Sequence, residues 1–152
     1  MEEAGVEEAQ LAREAGDIDS EGIPCITVVA DGAWSKRSYN VNYNAASGVA
    51  CIIGQRTRKL LFLGVRNKYC CICARVENKE GNVPQHTCYR NWTSSSTAME
   101  SDIIVEGFKN SLEMHGIKYT KRVGDGDSSV HKKLLLANSL VLETNTVAYV
   151  RE

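Results

Sequence analysis

The order of its periodic segments constrains this chain most. Three β-rich runs come first: Ile23 to Ala30, Ser47 to Ile53 and Leu60 to Val65. The polar stretch from Gly54 to Lys59 between the last two suits a hairpin loop, so the runs predict an antiparallel meander. A helix follows over Thr97 to His115, where Ile104, Phe108, Ser111, Leu112 and His115 recur at helical intervals and Gly116 suits the C′ position. Lys118 to Val123 then reads as a fourth strand, and Val130, Leu134 and Leu135 mark a second helix ending near Ala137. Val141 to Val150 is a candidate further strand. A helix between the meander and the fourth strand lets that strand lie parallel to the first. The expected class is therefore α/β, a mixed sheet of three antiparallel strands, a helix, a parallel strand and a helix.

Two segments break this pattern. Met1 to Ala15 reads as a short acidic helix stopped by Gly16, with an apolar face too thin for more than a peripheral place. Cys70 to Trp92 has no clear period and contains Gly81, Asn82 and Pro84, so it reads as a loop needing a staple of its own. The division expected is an acidic helix or tail over 1–21 and a domain over 22–152, with a Cys/His insertion at about 66–95.

At 152 residues the chain can bury one real core, and no run of about 18 apolar residues suggests a membrane span. The acidic start lacks the order of a signal peptide, so the protein is read as nuclear or cytoplasmic and not secreted. On that ground the acceptor tripeptide Asn91-Trp92-Thr93 reads as accidental. The net charge of −1 hides an asymmetry: residues 1–21 carry eight acids and one base, and the rest carries 17 bases against 11 acids. The body is thus mildly basic, compatible equally with a mixed surface and a phosphate-facing one.

Two groups of residues could carry chemistry. Asp31 ends the first β-run and Asp125 follows the fourth, each two positions after a valine, in Val29-Ala30-Asp31 and Val123-Gly124-Asp125. Their carboxylates are expected within about 8 Å of each other at one edge of the sheet, as ligands for Mg²⁺ or a similar oxygen-seeking ion. Asp127 is the alternative to Asp125, although its position also suits a helix N-cap. Glu100 is either the capping partner of Thr97 or a further acid borne on the helix. The second group is Cys70-x2-Cys73 with His86-x-Cys88, three thiols and an imidazole as zinc takes them, with Cys71 a competitor for the first pair. Cys25 and Cys51 lie in apolar runs and read as buried thiols. His115 and His131 read as packing or exposed residues, Lys36-Arg37 as solvated bases, and Trp34 as a core or rim aromatic.

Five ordered blocks resemble the Mutator-like transposase domains of animal genomes. They are Asp31-Gly32-Ala33-Trp34-Ser35-Lys36-Arg37; Val65-Arg66-Asn67-Lys68-Tyr69-Cys70; His86-Thr87-Cys88-Tyr89-Arg90-Asn91-Trp92; Ser94-Ser95-Ser96-Thr97-Ala98-Met99-Glu100; and Gly124-Asp125-Gly126-Asp127-Ser128. The resemblance runs from about Gly22 to the end. It implies a ribonuclease-H-like fold with an Asp-Asp-Glu site using Mg²⁺ or Mn²⁺, Asp31 as first acid and Asp125 as second, and DNA as partner. It also implies cutting at transposon ends and joining of 3′-hydroxyls to target DNA. The family's third acid comes well after the second, beyond a Cys/His stretch, and neither Glu143 nor Glu152 stands there. The expectation is a transposase-derived domain, truncated and inactive alone. The alternatives are a non-catalytic, zinc-stapled module binding DNA or protein, and a small nuclease recruiting Glu100.

Overall fold

The computed structural model describes residues 1–34, 45–77, 82, 84–124 and 128–137. Asp125, Asp127, Lys36, Arg37, Glu143, Glu152 and the tail from Val141 to Val150 lie outside the described residues. Four strands, β1 (Cys25–Trp34), β2 (Ser47–Gly54), β3 (Leu60–Asn67) and β4 (Lys118–Val123), form one mixed sheet in the order β3-β2-β1-β4. β1 pairs antiparallel with β2 and parallel with β4, and β2 pairs antiparallel with β3. The helices are α1 (Glu2–Glu14), α2 (Cys71–Glu77), α3 (Met99–His115) and α4 (Ser128–Ala137). The meander, the helix after it and the parallel fourth strand all match the sequence expectation.

Alternation along each strand decides which face meets the helices. In β2 the even residues Gly48, Ala50, Ile52 and Gly54 are buried, while Val49, Cys51 and Ile53 are half-buried on the other face. Val28 and Ala30 of β1 and Phe62 and Gly64 of β3 continue the buried side, over which α3 lays Ile103, Ile104 and Phe108. Helix α3 approaches the sheet through glycines. A Cβ on Gly107 would lie 2.5 Å from Ile52 Cδ1 and 2.6 Å from Phe62 Cδ1; one on Gly64 would lie 2.3 Å from Ile103 Cγ2. Gly107→Ala therefore sets two effects against each other. Alanine gains about 1 kcal/mol of helix propensity over glycine, but overpacking costs about 1–3 kcal/mol. Both neighbours are core side chains held on a sheet, so packing wins. The substitution is expected to lower the thermal midpoint, as scanning calorimetry would show, and a rise would contradict this seam.

The N-terminal helix differs from expectation. It is not peripheral: Ala4, Ala9 and Ala12 are buried in the main core, and Gly5 is pressed on the ring of His115. Small residues let the helix lie close, so a thin apolar face still buries well. The fully buried Glu8 accepts hydrogen bonds from Thr57 N (2.8 Å) and Thr57 Oγ1 (2.9 Å), tying α1 to the β2–β3 hairpin. His115 donates from Nε2 to the Leu61 carbonyl at 2.9 Å, the packing role its position suggested. Helix α3 ends at Gly116 in the left-handed region (φ 63), where glycine carries no steric penalty.

Candidate acid end and Cys/His centre

Asp31 does not end its strand. The β1–β2 ladder carries β1 on through Asp31↔Cys51 to Trp34↔Gly48, because ladder hydrogen bonds to β2 continue past Asp-Gly. On its other side β1 loses its partner earlier, since the last β1–β4 pair is Val29↔Val123. Asp31 thus stands, exposed, two residues past that pair, where the carboxyl ends of two parallel strands part. Its Oδ1 accepts from the Gly32 N–H at 2.8 Å. Burial, followed by the Asp31 charge, pushes the facing Cys51 thiol up, and Cys51 is half-buried rather than a core thiol, as is Cys25.

Glu100 is not the capping partner of Thr97. A 3₁₀ turn over Ser96–Ala98 precedes α3, whose N-cap is Ala98, and Thr97 Oγ1 instead lies 3.1 Å from Ser95 Oγ. The Glu100 side chain lies over the backbone of Gly32: a Cβ there would be 2.6 Å from Glu100 Cδ and 2.9 Å from Oε2. A Cβ at residue 32 would push the end of the Glu100 side chain aside, so Gly32 admits this close approach. Of the two readings of Glu100 the capping-box spacing favours the cap, and the structure places the side chain at Gly32, next to Asp31, instead. At the same end, Arg122 is 4% exposed, and none of its guanidinium nitrogens has a hydrogen-bond partner among the described residues. Its Nη1 sits 3.1 Å from where a Gly124 Cβ would stand, beside the Ala30 carbonyl.

The Cys/His centre is built from the stretch read as a loop. Seven of its residues form α2, too short to show a period, with Cys70 immediately before the helix and Cys73 on its first turn. The Cys73 backbone N–H, followed by that of Ile72 and contacts with Cys73 and His86, lowers the Cys70 thiol to about 6 against the opposing effect of burial. Burial first, then Cys88 and Cys70, push the Cys73 thiol up to about 11. His86 Nδ1 lies 2.8 Å from the Pro84 carbonyl. A carbonyl only accepts, so Nδ1 carries the proton and Nε2 offers its lone pair to the sulfurs. That bond first, then the Cys70 and Cys88 thiols, raise the His86 pKa.

The four ligand atoms lie within 4.8 Å of one another. His86 Nε2 is 3.3 Å from Cys70 Sγ and 3.4 Å from Cys73 Sγ, and the Cys73 and Cys88 sulfurs are 3.7 Å apart. Zinc bonds of about 2.3 Å to sulfur and about 2.0 Å to nitrogen give tetrahedral edges of about 3.8 Å and about 3.5 Å. The set is compatible with a structural zinc, and the Nδ1 hydrogen bond is the outer-shell support such a histidine needs. Cys71, exposed on the helix, is not in the cluster, which ends the competition for the first pair.

A double closure holds the centre to the sheet. Asn91 N donates to Asn67 O (2.9 Å), Asn91 Oδ1 accepts from Asn67 N (2.7 Å), and Asn91 Nδ2 donates to Val65 O (2.9 Å), all along the free edge of β3. The acceptor asparagine of Asn91-Trp92-Thr93 is thus used as a strand-edge amide. Beyond it, Trp92 lies under Arg66 (5.8 Å) and donates from Nε1 to Ser95 O, while Ser96 Oγ donates to Ala45 O (2.9 Å). Arg66 also binds Asp102 and Glu106 of α3. The centre, the end of β3 and the start of α3 are one connected end of the molecule.

A Cys/His centre at the edge of a meander, with Asp31 beside the parting strands, is the arrangement on which the family comparison bears. The family model for Mutator-like transposase matches residues 1–147. The chain belongs to the Mutator-like transposase family. No curated protein and no solved structure matches it. The family match takes in α1 as well as the five blocks, in keeping with the burial of that helix in the same core. None of the described helices is long and apolar enough to cross a membrane.

Proposed function

We propose that this Mutator-like transposase chain carries the acid end of a DNA strand-cleaving and strand-transfer site of ribonuclease-H-like type, with Asp31 and Asp125 among its carboxylates. The observation that carries the reading is the position of Asp31, exposed two residues past the last β1–β4 pair, with Asp125 at the same offset after Val123 in the sequence. Carboxylate oxygens suit Mg²⁺ or Mn²⁺, and such ions would supply activation of a water or 3′-hydroxyl and relief of charge on the leaving oxygen. The chain's own part is to hold oxygen ligands rigidly: Asp31 within a paired strand, and Glu100 over Gly32 from the first turn of α3. The buried Arg122 beside Gly124 favours carboxylates at this end, because a buried guanidinium is costly without an anion nearby. The Cys70, Cys73, His86 and Cys88 centre holds one structural zinc in this reading. DNA as substrate implies work in the nucleus.

Titrating ¹⁵N-labelled protein with Mg²⁺ tests the site. Amide shifts at residues 31–33 and 123–125 are expected at millimolar ion, and Asp31→Asn should abolish them. Unmoved amides there at roughly 20 mM would overturn the acid site. The contact between Glu100 and Gly32 favours a second reading, in which Glu100 is itself an ion ligand; Glu100→Gln then weakens the same titration. Enzyme and binding module separate in a plasmid assay. Mn²⁺-dependent nicking lost in Asp31→Asn selects the enzyme, and DNA binding without such nicking selects a zinc-stapled binding module.

A further inference from the structure

A cavity of about 340 Å³ opens where the turn after α1, the start of β1, the β2–β3 hairpin and β4 meet. It lies apart from the acid end: Thr27, on its wall, precedes Asp31 by about 13 Å of extended strand. An irregularity in the sheet shapes it. β1 pairs Ile26 with Tyr119 but Thr27 with Lys121, so Thr120 is an extra residue in β4. Adjacent residues of a regular strand face opposite sides, yet Thr120 and Lys121 both line this cavity.

The charges around the cavity do not all cancel. Glu8, at its floor, is the one acidic residue buried among the described residues. Its Oε1 is taken by Thr57, whereas its Oε2, equally buried, has no hydrogen-bond partner. A buried carboxylate oxygen without a donor is costly, so this one calls for a donor from outside the chain. At the mouth, Asp17 and Arg56 pair with each other. Lys121 is exposed and forms no ion pair among the described residues. What is left over is a negative group at the floor and a positive one at the rim. A divalent ion is poorly served, because it takes about six oxygen ligands, and the only lining acids are Glu8 and the already paired Asp17. Thr120 Oγ1 donates to Ile26 O (3.3 Å), so toward the cavity it offers lone pairs, as Glu8 does.

We propose that this cavity binds a small zwitterion of amino-acid type, its ammonium donating to Glu8 and its carboxylate meeting Lys121. An ammonium carries donors alone, which suits a floor of acceptors, and the opposite charge of the ligand then lies where the unpaired lysine stands. The volume is that of a small-molecule site. The proposal depends on neither the acid end nor the zinc, and it gives the chain a ligand site of its own.

The test is a titration of the whole ¹⁵N-labelled chain with glycine, β-alanine, 4-aminobutyrate and 6-aminohexanoate, beside propylamine and butyrate, at constant ionic strength. Amides of residues 16–18, 25–27, 55–56 and 120–121 should shift, with one zwitterion length binding tightest and both singly charged probes weaker. Glu8→Gln keeps an acceptor for Thr57 and should weaken that zwitterion roughly ten- to 150-fold. Lys121→Gln, on an exposed side chain, should weaken it about two- to fivefold and leave propylamine unchanged. Unmoved amides with every probe at roughly 50 mM, an affinity of no use to a ligand site, would overturn the proposal. So would butyrate binding as tightly as the best zwitterion, or a folded Glu8→Gln protein that binds like wild type. If Glu8→Gln fails to fold, Lys121→Gln decides: a zwitterion affinity it leaves unchanged overturns the proposal.

Discussion

Replacing Cys73 by alanine is expected to strip the zinc from the purified protein and release residues 68–90 while the four-stranded sheet stays folded. Cys73 lies within 3.4 Å of His86 Nε2 and 3.7 Å of Cys88 Sγ, so its sulfur stands in the middle of the set. Ordering each residue of a segment costs roughly 1–2 kcal/mol in backbone entropy. The hydrogen bonds at Asn67 and Asn91 contribute only about 1 kcal/mol each. A structural zinc, at about 10–16 kcal/mol in small peptides, is the contribution of the right size to hold the loop. The core has a different source of stability, in Ile52, Phe62, Ile103 and Phe108, and none of the described residues of 68–90 belongs to that cluster. Elemental analysis should fall from about one zinc per chain to none, and amide exchange should rise through 68–90 but not in β1 or β2. Zinc content unchanged by the substitution, or zinc lost with exchange through 68–90 unaltered, would sink the structural-zinc reading.

Phe108→Ala should be among the most destabilising single changes in the core. Phe108 is 1% exposed at the middle of α3 and meets the Tyr119 ring edge-on, 5.4 Å between centroids at 86°. Deleting a buried phenylalanine costs about 3–5 kcal/mol through lost transfer energy and the cavity left behind. At roughly 2–4 °C per kcal/mol for a domain of this size, the midpoint should fall by about 6–20 °C. Tyr119→Phe makes a sharp contrast. Its hydroxyl is buried without a hydrogen-bond partner among the described residues, and burial, with a smaller effect of Glu8, pushes its pKa up. Removing that hydroxyl forfeits no bond and spares a desolvation cost, so stability should hold or rise slightly. Equal losses from both substitutions in a urea titration would show that the hydroxyl, not the ring contact, holds this part of the core.

Much of the molecule was legible along the chain. The three β-runs, the helix ending at Gly116, the strand from Lys118 to Val123 and the four Cys/His ligands stand where local pattern put them. Each of these rests on a relation between residues two to four apart, or on a ligand spacing, and such relations are written in order along the sequence. What the tertiary structure decided rests on distant partners. The β1–β2 ladder carried the first strand through Asp31 to Trp34; the sequence alone stopped at a turn-forming Asp-Gly. Glu100 left its expected cap for Gly32, sixty-eight positions away, because a residue without a Cβ left room there. The alanines of α1 became core because small side chains permit close approach, which an apolar periodicity does not register. Cys71 was set apart from Cys70 by the turn of α2, a helix too short to announce itself. Periodicity tells which face of an element is apolar; which backbone it can touch depends on the volume its distant neighbours leave open.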